Sequence, residues 1–225
     1  MHMKKILAAV FILYTSVTFA QKNFTYTPEK PKPGDVISIT YQSSGDLANS
    51  LEPVEAVAYA YGSKERKADE IVLKRKGFTY TGTIATDTSH SFINIVFSAD
   101  KKYDNNFEEG YFIQLYDGDN VKKGSYMWLS HFYQYAAPTA GVTRNNDKAL
   151  AMIEKEMELY PDDRTANIPR YIRLLQALKK PNADAIIQKE IETSLKNGLE
   201  EEADYNNLET LYGLAKLPEQ AKLIA

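Results

Sequence analysis

The apolar residues of this chain change their period once, near residues 121–125, and that change bounds what the chain can fold into. From residue 24 to about 121 the period is two. "DVISITYQ" (residues 35–42) sets Ile37, Ile39 and Tyr41 against Val36, Ser38 and Thr40, the alternation of a strand with its two sides in different surroundings. "EAVAYAYG" (55–62) puts Val57, Tyr59 and Tyr61 on one face. "DEIVLKRK" (69–76), "FTYTGTIA" (78–85), "SFINIVFSA" (91–99) and "GYFIQLYDG" (110–118) follow as further strand-like runs. Between them lie the turn clusters "KPKPGD", "SSGDLANS", "YGSKERKAD", "ATDTSHS", "DKKYDNNFEEG" and "DGDN". Short strands at this spacing predict an antiparallel β-sandwich of the immunoglobulin-like kind. No long helical pattern interrupts them, which argues against a parallel sheet.

After Gly124 the period is that of a helix. "SYMWLSHFYQY" (125–135) carries Tyr126, Leu129 and Tyr133 on one face, with Ser125 placed to cap it. "NDKALAMIEKEMELYP" (146–161) aligns Ala149, Met152, Ile153, Glu156 and Leu159, and Pro161 stops it. "IPRYIRLLQALKK" accommodates Pro169 in a first turn. "NADAIIQKEIETSLKNG" (182–198) aligns Ile187, Ile191 and Leu195 and ends on Gly198; a further helix spans 203–216. The expected fold class is therefore all-β followed by all-α, with a sandwich over 21–123 and a helical domain over 124–225.

The helical part repeats. Aligning "NDKALAMI", "NADAIIQK" and "PEQAKLIA" superposes Ala149, Ala185 and Ala221 at a spacing of 36 residues. A small residue early in the second helix of each pair resembles the tetratricopeptide pattern, in which it lets paired helices approach. On that period the last stretch, "LPEQAKLIA" (217–225), opens a helix at Pro218 that should run on for about eight further residues. The expectation is a chain cut short.

The N-terminus reads as a secretory signal. Lys4 and Lys5 precede an apolar run over 6–14, and Thr18-Phe19-Ala20 offers small residues for cleavage between Ala20 and Gln21. The run is shorter than the ~20 residues of a membrane span. The mature protein is expected to be exported, periplasmic or in the cell envelope, with no membrane span after processing.

Chemistry is scarce. The sequence contains no cysteine, which excludes disulfides, thiolate metal sites and cysteine nucleophiles. Three histidines, His2, His90 and His131, are scattered and read as solvated or packed rather than as metal ligands. "SHF" (130–132) places Ser130 and His131 side by side, about 100° apart on a helix, so they form no nucleophile–base pair. "DKKYDNNFEEG" and "DGDN" are rich in oxygen ligands, yet their spacing is not that of an EF-hand, and "YDGDN" is first of all a hairpin. A net charge of −3 and the short "KRK" (74–76) argue against nucleic-acid binding. No catalytic, cofactor or metal residue emerges, and no cofactor is expected.

The stretches "FTYTPEKPKPGDVISITYQ" (24–42), "VEAVAYAYG" (54–62), "GYFIQLYDGD" (110–119) and "KALAMIEKEMELYP" (148–161), in this order after a signal peptide, resemble the N-terminal region of exported TlpA-like thiol–disulfide oxidoreductases of the Bacteroidetes type. The closing "LPEQAKLIA" fits too, where relatives continue toward a linker and a thioredoxin fold. The resemblance implies a Cys-x-x-Cys pair as the reacting group. This chain departs from the pattern by having no cysteine, so no catalytic residue carries over. It implies a non-catalytic scaffold or docking module whose partner is a thioredoxin-fold domain or a client protein. The alternative is a free-standing envelope protein that binds a peptide or glycan through the sandwich or the repeat groove. A hydrolase with an unrecognised site stands behind both.

Overall fold

The computed structural model describes residues 23–224 apart from 49, 64 and 65. The leader, the bond between Ala20 and Gln21 and His2 lie outside the described residues. The N-terminal half is antiparallel β-sheet and the C-terminal half is helical, with the change where the apolar period changes. The last strand ends at Val121 and the first helix starts at Ser125.

Eleven strands are present among the described residues: β1 Phe24–Thr27, β2 Val36–Gln42, β3 Glu55–Gly62, β4 Arg66–Glu70, β5 Lys74–Lys76, β6 Thr79–Ala85, β7 His90–Ala99, β8 Lys102–Asp104, β9 Tyr111–Gln114, β10 Tyr116–Asp117 and β11 Asn120–Val121. One sheet runs β1-β2-β6-β5. A second runs β4-β3-β7-β8, with β9 also paired to β7, and β10 and β11 form a hairpin. Ile37, Ile39 and Tyr41 of β2 are buried while Val36, Ser38, Thr40 and Gln42 are exposed, as the alternation predicts. Their partners come from the other sheet. The ring of Tyr41 stacks on Phe97 at 3.7 Å, and Ile93, Ile95 and Ile113 join the same core.

Strand expectations need correction at four places. The run 110–118 is split into β9 and β10, which belong to different sheets, and the cluster "DKKYDNNFEEG", expected as a turn, contains β8. Residues 69–76 are not one strand. β4 ends at Glu70, β5 begins at Lys74, and the three residues between carry the chain from one sheet to the other. Ile71 is buried in the core at that crossing, and its N–H donates to the Ala56 carbonyl at 2.8 Å. The cluster "YGSKERKAD", expected as a turn, contains β4. Every residue of that strand is exposed, because it is the edge of its sheet, so no apolar alternation marks it.

β7 is the hinge of the architecture. It is buried along nearly its whole length. One face looks into the core between the sheets. The other, with Phe92 and Val96, meets the helices together with Tyr61 of β3 and Phe112 of β9. The first helix, α1 (Ser125–His131), runs into a π-helical turn at Phe132–Ala136 and a 3-10 turn at Ala137–Ala140. Phe132 meets Phe112 edge-on at 4.8 Å, and Tyr61 lies 5.0 Å from Trp128. Strands and helices therefore share an apolar core, which ties the two halves together.

The remaining helices are α2 Asn146–Leu159, α3 Arg164–Ala177, α4 Ala183–Asn197, α5 Glu202–Leu214 and α6 Pro218–Lys222. Successive helices pack on one another, and α3 also packs on α5. Gly124 at φ 86°, not Ser125, is the residue before α1, and the Ser125 hydroxyl is buried without a partner. Pro169 lies inside α3 rather than in its first turn, because the helix starts at Arg164, directly after the 3-10 turn at Pro161–Asp163. Gly198 closes α4 at φ 84° as expected.

The burial of these helices does not support the alignment at 36 residues. Ala149 is fully buried, but Ala185 is exposed and Ala221 half-buried. The residue that occupies Ala149's place is Ala183. "ALAMIEKE" (149–156) and "ADAIIQKE" (183–190) align at a spacing of 34, with Ala149/Ala183, Ile153/Ile187 and Glu156/Glu190 buried in both helices. Two residues on a helix differ by about 200°, so the spacing of 36 aligned an inward alanine with an outward one.

Candidate binding groove at the sheet–helix junction

Glu156 is the first clue to the site. It sits on the apolar face of α2, 1% exposed, where a charge is costly unless satisfied. Its Oε1 accepts from the Gly124 N–H at 2.6 Å, and its Oε2 accepts from the N–H groups of Tyr126 at 3.0 Å and Met127 at 3.2 Å. These are the amides that a helix start leaves unpaired. α1 has no side-chain cap of its own, so α2 supplies one. Burial pushes the Glu156 carboxyl above its ordinary pKa, against the pull of the three amides and of Lys123. The Tyr160 hydroxyl donates a very short hydrogen bond to the Val121 carbonyl and fixes the far end of α2 to the last strand.

Beside this clamp lies a groove of roughly 440 Å3 between the ends of the strands and the helices. Gly62 and Ser89 form one rim, Lys122 to Gly124 the floor, Met127 and Trp128 one wall, and Asp163 and Asn167 the other. The strand rim is tight, since a Cβ on Gly62 would stand 2.5 Å from the Ser89 carbonyl oxygen. The charged groups along it are engaged. The Lys122 ammonium donates to the Thr88 carbonyl at 2.7 Å, and burial draws its pKa down. Lys123 pairs with Asp163 at 2.5 Å. Asn167 donates to the Asp163 carbonyl at 3.2 Å. The surface left to a ligand is that of Met127, Trp128 and the half-buried Ser89, which suits contact and shape recognition.

The candidates singled out in the sequence do not converge. His90 is buried at the start of β7, its Nδ1 accepting from the Asp87 N–H at 2.9 Å, and burial lowers its pKa. Ser130 points inward and its hydroxyl is without a partner, while His131 is half-buried beside Arg170. Of the acidic loop over 100–110, Asp104 turns into the core. There Oδ2 accepts from the Tyr41 hydroxyl at 2.7 Å and the Ser44 hydroxyl at 2.7 Å. Glu108 accepts from the Thr143 N–H at 2.5 Å, and Glu109 pairs with Lys148 at 2.8 Å. Among the described residues no group of three His, Asp or Glu side chains is placed to hold a metal ion, and no helix is long and apolar enough to cross a membrane. Trp128 as a groove wall and Glu156 as its clamp escaped sequence reasoning. The signal for Glu156 was there, an acid in register with Ala149 and Ile153 on an apolar stripe. No family model matches this sequence, and no curated protein matches it significantly.

Proposed function

We propose that this chain is a non-catalytic docking module that holds a polypeptide partner in the groove at the sheet–helix junction. The observation that carries the reading is the groove itself. Its walls come from both halves of the molecule, its ionic groups already hold the fold, and Met127 and Trp128 remain for contact. In this reading the paired sheets form an immunoglobulin-like sandwich, a view supported by the stacking of Tyr41 on Phe97 across them. The helices are tetratricopeptide-like pairs, a view supported by the recurrence at 34 residues, a period such repeats share. The partner is a thioredoxin-fold domain or a client protein of an exported TlpA-like system, and the protein works outside the cytoplasm after loss of residues 1–20.

Trp128 is the sole tryptophan, so its emission reports on the groove. Titration with the isolated thioredoxin domain of a TlpA-like oxidoreductase should shift that emission and the backbone resonances of Met127 and Asn167. Saturating partner that leaves both unchanged, with client peptides equally silent, would overturn the docking role. Intact mass of protein recovered from the envelope that still included Met1 to Ala20 would overturn the loss of residues 1–20.

A further inference from the structure

On the other side of Trp128 from the groove lies a surface the docking reading does not use. The guanidinium of Arg66, on edge strand β4, lies 4.5 Å from the centre of the Tyr59 ring and 5.6 Å from that of Tyr61. Tyr61 leads to Trp128 at 5.0 Å, and Trp128 to His131 at 5.6 Å. The His131 Nδ1 stands 3.5 Å from Nη1 of Arg170 on α3, which is also 3.4 Å from the Gln134 Oε1. Strands β3 and β4 and helices α1 and α3 thus contribute to one surface with two guanidinium groups.

Among the described residues neither arginine is paired with a carboxylate. Among the described residues, ion pairs engage Arg164, Lys123 and Lys148 close by in the fold, but none engages Arg66 or Arg170. Arg170 is half-buried, and among the described residues its polar contacts are two long ones, to the His131 ring and the Gln134 amide oxygen. A guanidinium withdrawn from water and left without an anion is costly, and planar carboxylates match it in two-point geometry. Burial lowers the pKa of Arg170. Burial and then the charges of Arg170 and Arg66 lower that of His131, as expected for a site with excess positive charge.

The other side of this surface is backbone. β4 is the outermost strand of its sheet, and all its residues are exposed. Its outer edge offers N–H and C=O groups in strand geometry. We propose that Arg66 and Arg170 form a carboxylate-binding site for an acidic side chain of an extended peptide that pairs with the open edge of β4. Alternate side chains of such a peptide fall on the Tyr59–Arg66 face of the sheet, where the rings of Tyr59 and Trp128 flank the carboxylate. The site is separate from the groove, so it stands or falls independently of what the groove holds.

The test uses an acetylated, amidated peptide of alternating threonine and glutamate, its glutamine counterpart, and free glutarate. Binding is read by Trp128 emission and by amide shifts along β4. The acidic peptide should bind with a Kd of about 1 mM or tighter, and the glutamine peptide about tenfold more weakly. Arg170→Gln and Arg66→Gln should each weaken the acidic peptide by about tenfold and leave the glutamine peptide unchanged. Arg66 is exposed, so its variant carries the test if Arg170→Gln misfolds. Equal binding of the two peptides, or undiminished binding by Arg66→Gln, would overturn the carboxylate site. Glutarate binding as tightly as the peptide, or shifts absent from β4, would overturn the extended-peptide partner. A response at Met127 and Asn167 without one at β4 would overturn the site at β4 and count for the groove alone.

Discussion

Glu156 on α2 and Glu190 on α4 are both buried, stand 34 residues apart, and each holds the start of the helix that precedes its own. They do so by different chemistry. Glu156 accepts three backbone N–H groups at the start of α1. Glu190 takes Arg164, the first residue of α3, in a two-point ion pair at 3.0 and 2.8 Å. The surroundings account for the difference. α1 begins just after Gly124 against the strands, where Glu156 is 1% exposed and no side chain of α1 itself caps the amides. The Arg164–Glu190 pair lies further out, with the Arg164 side chain 43% exposed. α5 needs neither device, since Glu201 and Asp204 cap it from within its own sequence. A carboxylate on an otherwise apolar face is thus a structural instruction, and its energetic weight follows from how far water is kept away.

The largest effect expected from this comparison is at Glu156. Glu156→Ala leaves three amides without an acceptor and a void under α1, and should cost about 3 kcal/mol. For a chain of this size that lowers the melting temperature by roughly 6–12 °C, measurable by thermal denaturation. Glu156→Gln keeps acceptor capacity and should cost less. The acid also leaves a signature in pH. A carboxyl whose pKa is raised keeps its proton longer in the folded than in the unfolded chain. The folded state then binds more protons between the two values, and stability falls as pH rises through that window, beginning at about 4.3. Urea midpoints from pH 4 upward should show this decline for the wild type and a shallower one for Glu156→Gln. Identical slopes would mean that the three amides outweigh burial.

The ion pair should be worth less. A double-mutant cycle on Arg164→Gln and Glu190→Gln should give a coupling of about 1 kcal/mol at low salt, because the pair is partly solvated. In 1 M salt, where the screening length is ~3 Å, most of that coupling should vanish. The cost of Glu156→Ala should persist in the same buffer. A salt-insensitive coupling at Glu190 would erase the contrast between the two sites.

Residues that face one way throughout an element were legible in the sequence, and those whose role depends on a distant partner were not. The alternation of β2 survives intact because one face of it is core and the other is water. The crossing at Ile71 was read as strand, since a buried residue between two sheets looks like any other apolar residue in a run. β4 was read as turn because an exposed edge strand has no apolar face to show. The helical alignment at 36 residues failed because alanine occurs on both faces of these helices. Burial distinguishes Ala183 from Ala185, and composition does not. The groove was beyond reach for a different reason. Its walls combine Gly62, Ser89, Trp128 and Asn167, which only the docking of α1 on β7 brings together.

The smallest effect separates the ends of the helical half. α2 is fourteen residues long and buries Ala149, Leu150, Ile153 and Glu156 between its neighbours. α6 is five residues long, buries none, and leaves Leu223 88% exposed. A helix below ~12 residues is marginal in water and relies on packing, and α6 packs on α5 alone among the helices it touches extensively. α5 lies between these extremes, since Leu208 and Leu211 are fully covered by α3 and α4. Opening free energies should therefore fall along the series α2, α5, α6, with α6 close to zero and α2 near the global value. Hydrogen exchange resolved by residue measures this directly. Amides of α6 as protected as those of Ile153 and Glu156 would show that α6 is held by contacts other than burial, and would remove the gradient that distinguishes the clamped helices from the last one.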